Sequence, residues 1–325
     1  MEQQKSKFRI GNLFKSKMLT LILLLAVVVG VFTIMSKGQL LNPKNIRNIL
    51  QSITLVSLLT IGAGMLMIGG YVDLSLGGIG TMAALITAYA LRAGAPWYLA
   101  LIIGLVAGAV TGAFNAVLIN ELRFQPFIAT LATASITQGL GYIVNHGQQI
   151  DIDNPVFNFI GTQRIADFIP YSIIISLVLL AVYGVMLKNT KFGRSMYLVG
   201  GNPQASLLSG LHPKRVSYIL FINAGVLSSL AGILLAARLK TANTTGIVNQ
   251  QFSGMTAAIL GGISFGGGSG GMGGALIGIL ILNCFNNGMT IVRVTPYWQT
   301  VASGALLLIA LAIDFLRISR TKKVS

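Results

Sequence analysis

The sequence predicts an all-α polytopic membrane protein of about ten transmembrane helices. Of 325 residues, 54% are hydrophobic and only 9% charged, where a soluble domain carries roughly 25% charged residues. Apolar runs follow one another almost end to end, at or near the roughly 20 residues that cross a hydrocarbon core about 30 Å thick. The 23 basic residues fall at the ends of these runs and in the tails.

Taken in order, residues 1–17 form a basic tail with Lys5, Lys7, Arg9, Lys15 and Lys17. The run that follows, Met18 to Met35, is long, lacks an A-x-A site and precedes many further runs, so it reads as an uncleaved first helix rather than a signal peptide. Spans are next expected at Ile49 to Ile68, Leu74 to Leu91, Trp97 to Ile119 and Phe127 to Val144. Gly69 and Gly70 break the chain between the second and third, near residues 69–74. In the fourth, Gly104, Gly108 and Gly112 recur every fourth residue, which gives a smooth face for close helix packing.

A longer polar segment, 145–167, separates the fifth span from Phe168 to Leu187. Residues 188–215 then form the main polar interruption, with five basic residues and no acid. Beyond it lie Val216 to Ala237, a short run from Gly254 to Ser264, Met272 to Met289 and Tyr297 to Leu316, before a second basic tail at 318–325. The run ending at Ser264 is too short to cross as a straight helix. It enters a glycine-rich stretch, so a half-helix ending in an unwound, protein-buried turn is expected near 264–272. The whole of 18–317 reads as one membrane domain.

An even number of spans puts both termini on one side. With that side cytoplasmic, 15 basic residues lie inside and 8 outside, so the positive-inside bias places both termini and residues 188–215 in the cytoplasm. Lys37, Lys44 and Arg47 cluster against the bias. The 145–167 segment, with Asp151, Asp153 and Asp167, is then outside, either as a docking surface for an extracytoplasmic partner or as a solvated connector.

Composition also excludes several functions. The net charge of +16 has no basic stripe interleaved with aromatics, so nucleic acid is not a partner. Cys284 is the single cysteine, which rules out an intrachain disulfide and speaks against a metal cluster. Two histidines, His146 and His212, lie in separate loops, and no acid, base and nucleophile cluster for catalysis. The match to G-x-G-x-x-G at Gly266, Gly268 and Gly271 has no preceding strand, so it is not a dinucleotide site. No G-x-x-x-x-G-K-[ST] occurs. If ATP and magnesium are used, they bind another polypeptide.

Residues 188–215 hold a capped helix start. Gly200 and Gly201 are expected to break the chain, Asn202 to accept the first free N-H groups, and Pro203 to sit at the first helical position. A helix from Pro203 to about Ser209 would stop at Gly210. Such a helix between spans suggests a surface that a partner grips.

Inside the membrane, acids are nearly absent. Asp314, followed by Arg317 and Arg320, is expected in a structural ion pair. Asp73 reads first as the cap of a helix N-terminus and second as a substrate contact. Uncharged polar residues are more plentiful: Asn115, Gln138, Asn223, Asn283, Asn286, Asn287 and Gln299. Their concentration near the ninth span, beside Tyr297 and Trp298, suits a path for a neutral hydroxylated solute. The candidate path is Asp73, Asn115, Gln138, Asn283, Asn287, Tyr297, Trp298 and Gln299.

With these motifs in order, the chain resembles the membrane permease subunits of bacterial ribose-type sugar ABC transporters. The resemblance covers nearly the whole sequence. It rests on Gly69 to Gly77, the Pro126-Phe-Ile-Ala-Thr-Leu131 run, Thr190-Lys-Phe-Gly-Arg194, Gly200-Gly-Asn-Pro203 with Ala205, Ser209-Gly210, Asn286-Asn-Gly288, and Pro296-Tyr-Trp-Gln299. It implies a multi-pass protein of the bacterial inner membrane, paired with a second permease copy and surrounded by lipid. The implied partners are a two-domain cytosolic ATPase and a soluble sugar-binding protein outside. It assigns the coupling helix to the 188–215 loop, with Gly193, Arg194, Gly201, Asn202, Pro203, Gln204, Ala205, Leu207 and Gly210 as the candidate ATPase-facing residues. Two positions depart from the family pattern: Tyr71 stands where a glycine is usual, and Gln204-Ala-Ser206 replaces Glu-Ala-Ala. A secondary carrier or channel is the alternative, and it would need ion-coupling acids or a ring of pore charges.

Overall fold

The computed structural model of the chain describes residues 17–144 and 146–322, with side chains described as far as Leu316. The basic tail at 1–16 and residues 323–325 lie outside the described residues, as do the side chains of Arg317 and Arg320. The long helices are α1 (Lys17–Met35), α2 (Pro43–Ile68), α3 (Leu76–Arg92), α4 (Trp97–Asn120) and α5 (Pro126–Val144). After the short α6 (Pro155–Thr162) come α7 (Tyr171–Asn189), α8 (Lys191–Gly201) and α9 (Pro203–Leu208). The chain closes with α10 (Pro213–Leu239), α11 (Gln250–Leu260), α12 (Met272–Ile291) and α13 (Pro296–Lys322). Each of the ten expected segments is a helix. Eight are long and apolar enough to cross a membrane, while α3 has 17 residues and α11 only 11. The protein is an all-α polytopic membrane protein.

Proline and asparagine set several helix starts. The Asn42 side chain accepts the Lys44 N-H at 3.0 Å ahead of Pro43, which begins α2 six residues before the apolar run suggests. Asn154 and Pro155 repeat the device at α6, and Asn202 and Pro203 at α9. In each case the asparagine satisfies a free donor and the proline occupies a position that needs none. Lys44 and Arg47 therefore belong to the first turns of α2.

Helices α2 and α10 form the centre. Their most apolar windows are 83% and 67% buried, against 0% for α1 and 11% for α13, which sit at the periphery with apolar side chains facing outward. The glycine face of α4 meets α10: a Cβ on Gly108 would overlap Ser229, and one on Gly112 would overlap the Phe221 carbonyl. Gly225 returns the contact against Gly108. In lipid no hydrophobic force draws helices together, so backbone approach of this kind supplies the van der Waals contact instead.

The described part of the 145–167 segment, residues 146–167, is folded. Its first strand, β1 (Ile150–Asp151), pairs antiparallel with β4 (Thr241–Ala242), and β2 (Arg164–Ile165) pairs with β3 (Ile169–Pro170). Helix α6 packs on the end of α10, where a Cβ on Gly161 would strike the Ala237 and Arg238 backbone. Arg47 donates to the Asp167 carbonyl at 3.3 Å and lies 5.9 Å from the Phe168 ring centroid.

Candidate functional site

Three features sit along the bundle axis: two helix breaks, a junction that joins them to α8, and a polar cavity. The first break runs from Gly69 to Ser75. Gly70 takes φ +83°, which ends α2, and the chain re-enters a helix at Leu76. Asp73 is 2% exposed, and its Oδ1 accepts the Ser75 N-H at 2.7 Å and the Ser75 hydroxyl. Asn115 donates to Asp73 Oδ2 at 3.3 Å and to Ser75 Oγ at 2.8 Å. The Leu74 N-H goes to Thr130 Oγ1 at 3.1 Å, which ties the break to α5. Asp73 and Asn115 thus form one buried hydrogen-bonded group with Ser75, away from the cavity described below.

The second break spans Gly261 to Gly271, three residues ahead of its expected start. Gly262, Gly267, Gly268 and Gly270 have positive φ. Asp314 reaches across from α13, accepting the Ser264 hydroxyl at 3.1 Å and the Phe265 N-H at 2.9 Å. Its expected ion pair with Arg317 or Arg320 falls on side chains outside the described residues. Asp314 thus caps a distant turn, and elsewhere among the described residues Lys214 pairs with Glu121 at 2.8 Å.

Helix α8 corrects another expectation. Gly200 and Gly201 do not break the chain; they are in the last turn of a helix capped by Thr190, whose hydroxyl accepts the Gly193 N-H at 3.0 Å. The glycines are there for contact. A Cβ on Gly200 would overlap the Ile68 carbonyl and crowd Gly268, and Cβ atoms on Gly267 or Gly268 would strike the backbone of Gly200 or Gly201. Gly268 donates to the Ile68 carbonyl at 2.9 Å, and the Tyr197 hydroxyl donates to the Gly270 carbonyl at 2.8 Å. Both helix breaks therefore meet on the end of α8. Directly beyond it, α9 stands out from the bundle. Asn202 Oδ1 accepts the Ala205 N-H at 3.0 Å, Gly210 at φ +77° closes the helix, and Pro203, Gln204, Ala205 and Leu207 are exposed, with Leu208 92% exposed. Arg194 is also exposed, while Gly193 packs against the Met186 and Leu187 carbonyls.

The cavity, of about 410 Å³, lies at the other end of the bundle. Helix α7 runs into α8 and α10 leaves after α9, so the start of α7 and the end of α10 are opposite α8 and α9. Ser172 of α7 and Arg238 of α10 line it. From α2 come Asn48, Gln51, Ser52 and Thr54; from α11, Gln250 and Ser253. Helix α12 gives Asn283, Asn286, Asn287 and Thr290, and α13 gives Gln299. Several of these side chains are held in place: Asn45 donates to Asn287 Oδ1 at 2.8 Å, Ser303 to Asn286 Oδ1 at 3.3 Å, and Gln299 to the Val294 carbonyl at 2.8 Å. No carboxylate lines the cavity, and its volume is within the roughly 300–1,000 Å³ of small-molecule sites.

Of the eight candidate path residues, the structure gathers Asn283, Asn287 and Gln299 at this cavity. Gln138 is half-buried on α5, outside it. Tyr297 and Trp298 are 84% and 66% exposed at the start of α13 and do not line it. Asn223 accepts the Tyr183 hydroxyl between α7 and α10. Sequence reasoning missed Asn48, Gln51, Arg238, Gln250 and Ser253. The Asn42-Pro43 start was a usable signal for α2, since a helix begun there puts Asn48, Gln51, Ser52 and Leu55 on one face at spacings of three and four. For Arg238 and Gln250 no sequence signal exists.

Comparison with known proteins agrees with this architecture. A family model described as branched-chain amino acid transport system / permease component matches residues 45–311. The Ribose import permease protein RbsC of Bacillus subtilis is 34% identical over 88% of this chain and 90% of its own. The D-allose transport system permease protein AlsC of Escherichia coli K12 is 32% identical over 90% and 89%, and the L-arabinose ABC transporter permease protein AraH of Azospirillum brasilense 31% over 84% and 80%. Most of the chain is covered in each case, and the chain belongs to this family of transport-system permease components.

Proposed function

We propose that the chain is the membrane-spanning subunit of an ATP-driven importer in the bacterial inner membrane, and that it carries a monosaccharide, ribose or a related sugar. The observation that carries this reading is the lining of the cavity. Seven amides and five hydroxyls face it, and no carboxylate. Amides both donate and accept, as sugar hydroxyls do, whereas the ammonium group of a zwitterionic amino acid would meet no carboxylate there. The sugar names of the relatives point the same way. An ion-coupled carrier is disfavoured, because Asp73 is committed to Ser75 and Asn115 and Asp314 to Ser264 and Phe265.

In this reading both termini, α8 and α9 face the cytoplasm and the cavity opens outward, where a sugar-binding protein docks over the folded 145–167 segment. A two-domain ATPase holding ATP and magnesium grips α9 through its exposed Leu207 and Leu208. A second copy of the chain completes the pore, and lipid surrounds the outer faces of α1 and α13. Movement of α9 passes to α8, whose terminal glycines are packed against both helix breaks. Both breaks then shift together, and the helices that continue from them change the cavity's access. This chain binds no nucleotide and performs no covalent step.

Reconstitution tests the reading. Proteoliposomes holding the chain, its ATPase and its binding protein take up D-ribose, D-allose or L-arabinose only when ATP and both partners are present. Uptake that needs neither partner sinks it. Leu207→Pro removes a donor inside a six-residue helix and clashes with the preceding turn, so ATP hydrolysis persists while uptake collapses and the spans stay folded; unchanged uptake removes α9 from the mechanism.

A further inference from the structure

Arg238 is the one charged residue lining the cavity. It sits in the last turn of α10, half-buried. Its side chain makes no hydrogen bond or ion pair to any described residue. The charged group that acts on it is Arg164, of the same sign. A guanidinium offers five N-H donors in a rigid fork, and leaving them partly desolvated without an acceptor costs free energy. The position is nevertheless fixed, because α6 presses Gly161 against the Arg238 backbone and the carbonyl end of α10 favours a cation there. Gln51, Gln250 and Asn283 line the same cavity, with amides that tolerate either sign of partner.

We propose that Arg238 is the specificity-determining residue of the cavity: its guanidinium takes the oxygen acceptors of a polyhydroxylated solute that is neutral or anionic, and it bars solutes carrying an ammonium group. This rests on the permease reading only in naming the solute as a sugar. The charge selection itself is a property of the cavity.

The test uses the full-length chain in nanodiscs with Cys284→Ser and a reporter Ser253→Cys in the cavity. A sulfonate-bearing methanethiosulfonate is expected to label the reporter about tenfold faster than the trimethylammonium reagent, after correction for their rates on a free thiol. Arg238→Gln returns the ratio to the free-thiol value without changing the rate of the neutral methyl reagent, which reports an intact cavity. Arg164→Gln, outside the lining, leaves most of the preference. D-ribose slows labelling in the protein with Arg238 and loses that effect in Arg238→Gln. A ratio that Arg238→Gln does not move overturns the proposal. If the charge preference is present but the assembled complex imports none of the three sugars, the import reading falls and the assignment of Arg238 stands.

Discussion

The two helix breaks solve one problem in different ways. Each follows a Gly-Gly pair whose second member has positive φ, Gly70 at +83° and Gly262 at +86°, and each leaves backbone donors inside the membrane that lipid cannot satisfy. At the first, Asp73 lies two residues from the donor it caps, so the break carries its own acceptor. At the second, the acceptor is Asp314, fifty residues further along the chain. The first break holds one acceptor of its own and takes a second, Thr130, from α5. The second has its carboxylate acceptor only when α13 is docked, which makes it the more dependent of the two on a carboxylate from elsewhere in the chain.

That difference is open to measurement by thermal unfolding in detergent, together with uptake. The largest effect is expected at the junction both breaks share. Gly200→Ala sets a Cβ into the Ile68 carbonyl, where backbone must move, and is expected to cost roughly 3 kcal/mol or more and to abolish uptake; a stable, active variant would show that the breaks do not depend on α8. Next comes Asp314→Ala, which leaves the Ser264 hydroxyl and Phe265 N-H unpaired at a cost of about 2 kcal/mol, with proteolytic opening near 264–271 as the local readout. Asp73→Asn is expected to be milder, about 1 kcal/mol, since one amide oxygen keeps the Ser75 contacts while the new Nδ2 faces the Asn115 donor. If Asp73→Asn destabilises more than Asp314→Ala, the local-against-distant distinction fails. Loss of uptake by Asp73→Asn at wild-type stability would assign the carboxylate a direct part in transport.

The smallest effect belongs to neither break. The hydrogen bond from Lys214 holds the exposed Glu121 carboxyl below the usual carboxylate range, with the Lys214 charge and Tyr218 adding to it. A lowered folded-state pKa means the pair stabilises the fold above the unfolded pKa, and the contribution is lost as pH falls through the folded one. Glu121→Gln should remove that small acid-dependent part of the unfolding profile and leave both breaks unchanged. A shift in proteolysis at 264–271 would link this surface pair to the second break.

The same contrast explains what could be read in advance. Asp73 as a cap followed from two glycines and a following apolar helix, all within a few residues. So did α9, from Asn202, Pro203 and Gly210. Gly200 and Gly201 were misread because a glycine pair carries the same local signal whether it ends a helix or allows another backbone to approach. The contacts of Asp314 with Ser264 and Phe265 were not legible in advance, because those residues lie about fifty positions away in the chain. Tyr297 and Trp298 lie beside Gln299 in the chain, yet only Gln299 turns into the cavity.

By itself the sequence determined the class, the order of the helices, the capped helix at Pro203–Leu208 and the presence of two breaks. Those follow from composition, run length and contacts between residues a few positions apart. Only the tertiary structure decided which amides meet, that Arg238 lines their cavity and that α8 joins the two breaks. A helix in lipid is apolar on nearly every side, so its periodicity does not say which face is inward. That choice is made by close packing of glycine and polar side chains against partners far away in the chain.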